Sequence, residues 1–467
     1  MKKLILLFLC CFILPLNVFS EPVSSSGIIV RKKSVRKEKN KPVALPTVTP
    51  QPFHIPDIQK IVTDSGIEAW LIEEKSTPVI SISVIFKGGK ASDPKRLTGL
   101  SSLAMELMGE GAGHHSAEEF SELLSRKAIF LSFDARNDTL KADMETLREN
   151  KEDAFDLFRL ALTEPRFDRK IVRQMKERLY AAIKAREGNP QAVAAERWAK
   201  LVFKDHPYAR LLPTKKSIQS ITRANLRSFV RERFAKNNMI IGVAGNISAD
   251  ELKPLLEKTF AGLPEKSRVK EAPPFTPELS DRIDILSMDV PQSAVLFGHK
   301  GIARNDPDFY AALIVNYIFG GGSFASRLFN EVREKNGLAY SIDTVLDANA
   351  TAPMITGSVG SDNAKLAEAI KIIQQQWRLM AQKGPTEQEL KDAKTFITGS
   401  FPLAFSSSSG LASTLAGIQY HNLGIDYLQH YNTLIESISL EQAKKTAARL
   451  LLPDSLFFVV VGKPANL

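Results

Sequence analysis

Two stretches of this chain follow the same plan 217 residues apart, and that recurrence limits its fold more than any other feature. Ser220-Ile221-Thr222 opens a helical stretch leading to Val243-Ala244-Gly245, and Ser437-Ile438-Ser439 opens another leading to Val460-Val461-Gly462. The offset is the same at both ends, so the two stretches align without a gap, which points to a duplicated unit. The 467 residues are enough for two to four domains of ordinary size. Strands followed by runs of helices in each copy predict an α+β fold of two duplicated halves, each with helices packed on a mostly antiparallel sheet.

Within the first copy, a strand is expected from about Asp64 to Ile72, followed by an alternating run with Ile80, Ile82, Val84 and Phe86 on one face. A helix is expected over 100–108, and another from Ser116, where Ser116 and Glu119 have capping-box spacing. Further helical stretches cover about 145–163 and 168–203, and a strand over 239–243 closes the half. Residues 266–280, with Pro273, Pro274 and Pro277 among charged side chains, read as a linker. The expected halves are therefore 59–265 and 281–467.

Ahead of them, Lys2 and Lys3 precede an apolar run from Leu4 to Phe19 that ends in Val18-Phe19-Ser20, the pattern of a cleaved secretory signal peptide over 1–20. Both cysteines, Cys10 and Cys11, fall inside it, so the body has neither a disulfide framework nor a thiolate metal site. A cysteine-free body suits the periplasm. Residues 21–58 read as a solvated basic, proline-rich tether carrying Arg31, Lys32, Lys33, Arg36, Lys37, Lys39 and Lys41, and weak contact with anionic lipid headgroups is a second reading of it. The net charge of +10 argues for no nucleic-acid partner, because residues from 59 onward hold only +4 of it.

Several segments, taken in order, carry a family resemblance over about 59–467. Phe86-Lys87-Gly88-Gly89 leads through Leu97-Thr98-Gly99-Leu100 into the first helix, and Phe203-Lys204-Asp205-His206-Pro207-Tyr208 ends the long helical stretch. Gly320-Gly321-Gly322-Ser323-Phe324-Ala325-Ser326-Arg327-Leu328-Phe329 then leads to Arg333 and Tyr340. With a duplicated half, this series resembles the pitrilysin/insulinase-like zinc peptidases, which include mitochondrial processing peptidase.

The resemblance implies a clamshell in which active members bind zinc through His-x-x-Glu-His on the first helix and a glutamate further on, with the motif glutamate as general base. Aligned on Gly99-Leu100, the His, Glu and His slots hold Ser102, Met105 and Glu106, and the distal slot holds Ala182. A methionine cannot abstract a proton, and Glu177 and Glu187 each lie five residues from Ala182, about 140° around a helix. The expected outcome is no metal on this chain. His115-Ser116-Ala117-Glu118-Glu119 has a misleading His-x-x-Glu-Glu look, but it follows Gly109, Gly111 and Gly113, and Ser116 is better explained as a helix cap.

In the second half, Arg333-Glu334-Lys335-Asn336-Gly337-Leu338-Ala339-Tyr340 matches the family pattern Arg-x-x-x-Gly-Leu-x-Tyr, whose arginine and tyrosine face the zinc site. The resemblance implies that Arg333 binds substrate carbonyls and Tyr340 stabilises the oxyanion. The residues alone also allow Arg333 to be a solvated cation and Tyr340 a core-packing strand residue. Gly320, Gly321 and Gly322 lack the Lys-Ser/Thr of a phosphate loop; they suit close packing or backbone contact with an extended peptide, and the resemblance points to the peptide. Residues 405–410 read as an exposed turn between helices.

The functional expectation is a periplasmic, non-zinc subunit that closes on a zinc-bearing homologue and helps cleave peptides or unfolded segments. The alternative is a catalytically inactive peptide-binding or scaffolding protein with no peptidase partner.

Overall fold

The computed structural model describes residues 57–467; the expected leader and all but the end of the expected tether lie outside the described residues. Six strands build the first sheet: β1 (Gln59–Val62), β2 (Glu68–Glu73), β3 (Val79–Lys87), β4 (Phe130–Ala135), β5 (Thr139–Leu147) and β6 (Met239–Gly245), ordered β1-β2-β6-β3-β5-β4. Five build the second: β7 (Arg282–Ser287), β8 (Gln292–Lys300), β9 (Ser341–Asp347), β10 (Met354–Asp362) and β11 (Phe457–Gly462), ordered β7-β11-β8-β10-β9. With β1 set aside, the two orders are the same. Only β2 with β6 and β7 with β11 run parallel, so each sheet is mostly antiparallel and the α+β expectation stands.

The repeated terminal glycine has a steric reason in both sheets. Gly245 has φ +131°, and a Cβ there would run into the Val79 carbonyl oxygen on the neighbouring strand. A Cβ at Gly462 would strike the Ser293 hydroxyl in the equivalent place.

Eight helices belong to the first half: α1 (Leu100–Met108), α2 (Ala117–Arg126), α3 (Lys151–Thr163), α4 (Arg169–Glu187), α5 (Pro190–Phe203), α6 (Lys215–Ser220), α7 (Arg223–Arg233) and α8 (Ala249–Phe260). The second half adds α9 (Phe309–Asn316), α10 (Leu366–Lys383), α11 (Glu387–Ser400), α12 (Ser408–Tyr420), α13 (Tyr427–Glu436) and α14 (Leu440–Leu450). Alternate residues of a strand point to opposite faces, and here they enter different cores. Ala69 and Leu71 of β2 join the core beneath α1, α3, α7 and α8, whereas Trp70 and Ile72 join the core that contains Leu411, Ala412 and Leu415 of α12.

That second contact crosses between the halves, because α12 lies on β6 and β3 of the first sheet. The approach is close enough that a Cβ on Gly242 would collide with the α12 backbone at Ala412, and Gln419 donates to the Ile241 carbonyl at 2.8 Å. The reverse contact also exists. Helix α5 lies on β8 and β11 of the second sheet, where Trp198 stacks on Phe457 at 5.6 Å and Arg197 pairs with Asp284. Each half therefore lends a helix to cover the other's sheet.

Several boundaries differ from expectation for local reasons. The stretch expected as helix from 145 begins as strand, since Glu145, Thr146 and Leu147 finish β5 in register with Ser81, Ile80 and Val79. The helix expected over 168–203 is two helices. Gly188 caps α4, and the Asn189 side chain accepts from the Ala192 amide to start α5 with Pro190 at its first position. Residues 405–410 are not all exposed turn: Ser407 caps α12 by accepting from the Gly410 amide, and Ser408 is buried. The proline-rich 266–280 segment is laid down on the body, with the Phe275 amide bonded to the Thr351 carbonyl and its ring stacked 5.0 Å from His206.

Candidate functional site

The first helix is anchored by a buried ion pair at its start. Asp93 accepts from the amides of Gly99 and Ser101 and from the Ser101 hydroxyl, and it pairs with Arg233 at 3.0 Å. Arg233 also donates to the carbonyls of Gly88, Gly89 and Ser92, so its guanidinium is spent on the turn that aims α1. Both side chains are almost fully buried, which such a set of hydrogen bonds makes tolerable. Gly99 caps α1 at φ +93°, and a Cβ there would meet Pro213 and Ile218. The Phe86-to-Leu100 motif thus encodes the placement of α1.

What α1 presents does not make a metal site. Ser102 is half-buried, Met105 is buried and Glu106 is exposed, while Ala182 is exposed on α4, which packs against α1. Ser102 and Ala182 bring no imidazole or carboxylate, and the Met105 thioether is a soft, weak ligand. Among the described residues, no group of three or more His, Cys, Asp or Glu side chains could hold a metal ion. His114 and His115 lie ring to ring at 3.8 Å, and Ser116 closes a full capping box with Glu119 at the start of α2.

Other histidines hold structure together. His206 accepts from the Tyr208 amide at Nδ1 and donates from Nε2 to the Pro273 carbonyl at 2.9 Å, while the Tyr208 hydroxyl donates to Asp138. The Phe203-to-Tyr208 motif therefore holds the proline-rich segment in place. His299 is fully buried, donates from Nδ1 to the Lys300 carbonyl, and accepts at Nε2 from the Trp377 indole and the Leu452 amide. Burial lowers it to about 4, so it stays neutral at pH 7.

In the second half there are two π-helical segments, Tyr317–Gly321, which holds Gly320 and Gly321, and Phe329–Glu334. A widened turn of this kind re-aims the side chains that follow it. Gly320 is buried against Thr344 of β9, Gly321 lies against Asn316, and Gly322 lies against Tyr317, so close packing accounts for all three glycines. Arg327 is tied down: it forms a fork with both oxygens of Glu389 at 2.5 Å, and Glu389 in turn closes the cap of α11.

Arg333 is arranged differently. Its guanidinium carbon lies 6.0, 4.8 and 5.4 Å from the ring centres of Phe324, Phe329 and Tyr340, and no carboxylate pairs with it among the described residues. Tyr340 is 77% exposed and Phe324 76% exposed, so the tyrosine does not pack into the core. The Tyr340 amide bonds to the Gly360 carbonyl at 3.1 Å and fixes the backbone, while the phenol faces solvent. The structure thus joins Arg333 and Tyr340 into one surface cluster. Sequence reasoning missed the two phenylalanines that complete it, although both stand in the Gly320–Phe329 run at a spacing of five. Phe324 stands in a short 3-10 turn and Phe329 opens the second π segment, and the bend between them brings the rings to 4.8 Å.

This arrangement agrees with what the chain is similar to. Residues 69–214 match the insulinase family, peptidase family M16, and residues 220–396 match the peptidase M16 inactive domain. A Helicobacter pylori protein named non-peptidase homolog YmxG is 27% identical over 396 residues, covering 84% of this chain and 91% of that protein. A Bacillus subtilis protein named uncharacterized zinc protease YmxG is 24% identical over 359 residues, 76% of this chain and 86% of that one. Among solved structures, a peptidase M16 inactive domain from Pseudomonas fluorescens superposes with a TM-score of 0.81 at 25% identity, covering 88% of this chain and 98% of that one. The Escherichia coli periplasmic protease PqqL shares the fold, with a TM-score of 0.77 at 17% identity over 93% of this chain and 49% of its own length. With residues 69–214 and 220–396 matched, the chain belongs to the insulinase (M16) peptidase family, as a member whose described first helix sets Ser102, Met105 and Glu106 in the metal slots.

Proposed function

We propose that this chain is the non-zinc subunit of a two-chain peptidase of the periplasm, in which it closes as one half of a clamshell on a zinc-bearing homologue. The observation that carries the proposal is the exposed Arg333–Tyr340 cluster in a chain whose own α1 holds Ser102 and Met105 in place of the family's histidine and glutamate. An arginine held among aromatic rings with no carboxylate partner keeps its donors for another molecule. Arg333 would hold a peptide carbonyl of the substrate, and the Tyr340 phenol would donate to the oxyanion that develops on the carbonyl under attack. The glycine turn Gly320 to Gly322 would lie along the substrate backbone at its exposed Gly321 and half-buried Gly322, with Gly320 packed beneath them, and peptides or unfolded segments are the expected substrates. The metal and the base would belong to the partner, since Ser102 and Met105 stand where the family's first ligand and base would be.

The division into a leader (1–20), a basic tether (21–58), two halves (59–265 and 281–467) and a connecting segment (266–280) forms part of the same proposal. The aligned part of PqqL is about half of that periplasmic protease, which fits a chain of this length supplying half of a larger enclosure.

The test is reconstitution with a homologue that bears an intact His-x-x-Glu-His. Tyr340→Phe should lower turnover of the pair while this chain's folding and its association with the partner stay unchanged; equal turnover would overturn the assignment. A second reading is favoured by the name of the Helicobacter relative, a non-peptidase homolog: a peptide-binding or scaffolding protein without a peptidase partner. Unaltered function after Arg333→Ala, with no zinc homologue recovered in association, would support that reading.

A further inference from the structure

Charge is unevenly spread over this body. Residues 166–233 hold eighteen basic and six acidic side chains, a net of +12, while the rest of 59–467 is net −8. The excess lies on the outer faces of three adjoining helices. Arg169, Lys170, Arg173, Arg178 and Lys184 are exposed along α4. Lys215 and Lys216 on α6 and Arg227 and Arg231 on α7 continue the same surface.

Side-chain hydrogen bonds to backbone carbonyls tie the three helices to one another. Lys176 donates to the Ile221 carbonyl between α6 and α7, Arg186 donates to the Pro213 carbonyl, and Arg223 donates to the Phe167 carbonyl just ahead of α4. None of the nine exposed cations forms an ion pair with a described residue, whereas cations elsewhere commonly do, as with Arg148 and Glu251 or Arg449 and Asp306. So many unneutralised like charges repel one another, and an anionic partner would relieve that repulsion.

We propose that the exposed face of α4, α6 and α7 is a docking surface for an anionic lipid bilayer. Three observations favour a bilayer over an acidic polypeptide. The face is broad: α4 alone has 19 residues, a length of about 28 Å. It is not a groove, and the two best-formed cavities lie elsewhere, beside Arg449 and beside Phe130. The chain ahead of the described body also carries seven cations between residues 31 and 41, which would reinforce attachment to an extended anionic surface. The inference does not depend on Arg333 or Tyr340 and stands whether or not the chain serves a peptidase.

Co-sedimentation of the full chain with vesicles of mixed phosphatidylcholine and phosphatidylglycerol tests it, with phosphatidylcholine vesicles for comparison. Binding should require phosphatidylglycerol and weaken with salt. The combined variant Lys170→Glu, Arg173→Glu, Lys184→Glu, Arg227→Glu should lose at least about tenfold in partition coefficient with unchanged thermal unfolding. A variant with Lys32, Lys33, Arg36 and Lys37 changed to Gln should keep most of the binding. Parent binding that ignores phosphatidylglycerol, or equal binding by the helix-face variant, would overturn the proposal. Tighter binding to soluble polyglutamate than to the vesicles would overturn it in favour of an acidic protein.

Discussion

The start of α1 in the first half and the Phe324–Tyr340 surface in the second are both positioned with care, yet they present opposite chemistry. Around α1, each polar group finds a partner inside the chain: Arg233 has three carbonyls and Asp93, and Asp93 has two amides and a hydroxyl. The residues that this frame sets in the metal slots are a half-buried serine, a buried methionine and an exposed glutamate. On the second surface the backbone is secured just as firmly, but a guanidinium and a phenol are left facing solvent beside an exposed phenylalanine. The difference teaches that a scaffold can persist as architecture after its chemistry has gone, while free polar groups on a fixed backbone mark where chemistry can still occur.

The largest effect should come from breaking the first region. Arg233→Ala leaves the buried Asp93 without its counter-ion and takes one donor from each of three carbonyls, and should destabilise the fold by about 3–5 kcal/mol, measured by denaturant unfolding. A loss under about 1 kcal/mol would mean that the frame of α1 is held by other contacts. Acidification probes the core beneath the second region. His299 falls from an ordinary 6.5 to about 4 in the folded state, so the unfolded chain takes up the proton first as pH drops. Stability should therefore fall between about pH 6.5 and 4, by about 3 kcal/mol in all, and His299→Gln should flatten that part of the profile.

Tyr340→Phe should cost about a hundredfold in turnover with a zinc-bearing partner, about 2.7 kcal/mol at the transition state, while leaving thermal unfolding unchanged. A fall in both would erase the contrast between the two regions. The smallest effect expected is from Gly320→Ala, whose methyl group must displace Thr344; a loss of about 1–2 kcal/mol in unfolding free energy is expected. If that variant also lowers turnover, the glycine turn helps place the Arg333 cluster as well as packing against β9.

Much of this was legible in the chain itself. The repeat at an offset of 217 foretold two sheets of like order, because matched glycines, caps and apolar strands impose matched local structure. The Ser116 cap and the absence of ligands at Ser102 and Met105 could also be read directly, since side-chain chemistry decides both. Glu145 to Leu147 misled because glutamate and leucine suit helices, and only pairing with β3 makes them a strand. The break at Gly188-Asn189-Pro190 was written in the sequence, but the apolar pattern on both sides hid it. The aromatic cradle of Arg333 was out of reach for another reason: it joins a 3-10 turn, a π segment and the start of β9, and no spacing rule for α-helices brings Phe324, Phe329 and Tyr340 together.

The exchange of α5 and α12 sets the mechanics of the whole chain. A helix that roofs the neighbouring sheet works like a hand clasped around another's wrist: separating the halves would strip Trp198 from Phe457 and bare the backbone at Gly242 in one movement. The 266–280 segment is therefore not a hinge about which one half swings from the other. Any bending at that segment would have to break the α5 and α12 contacts together.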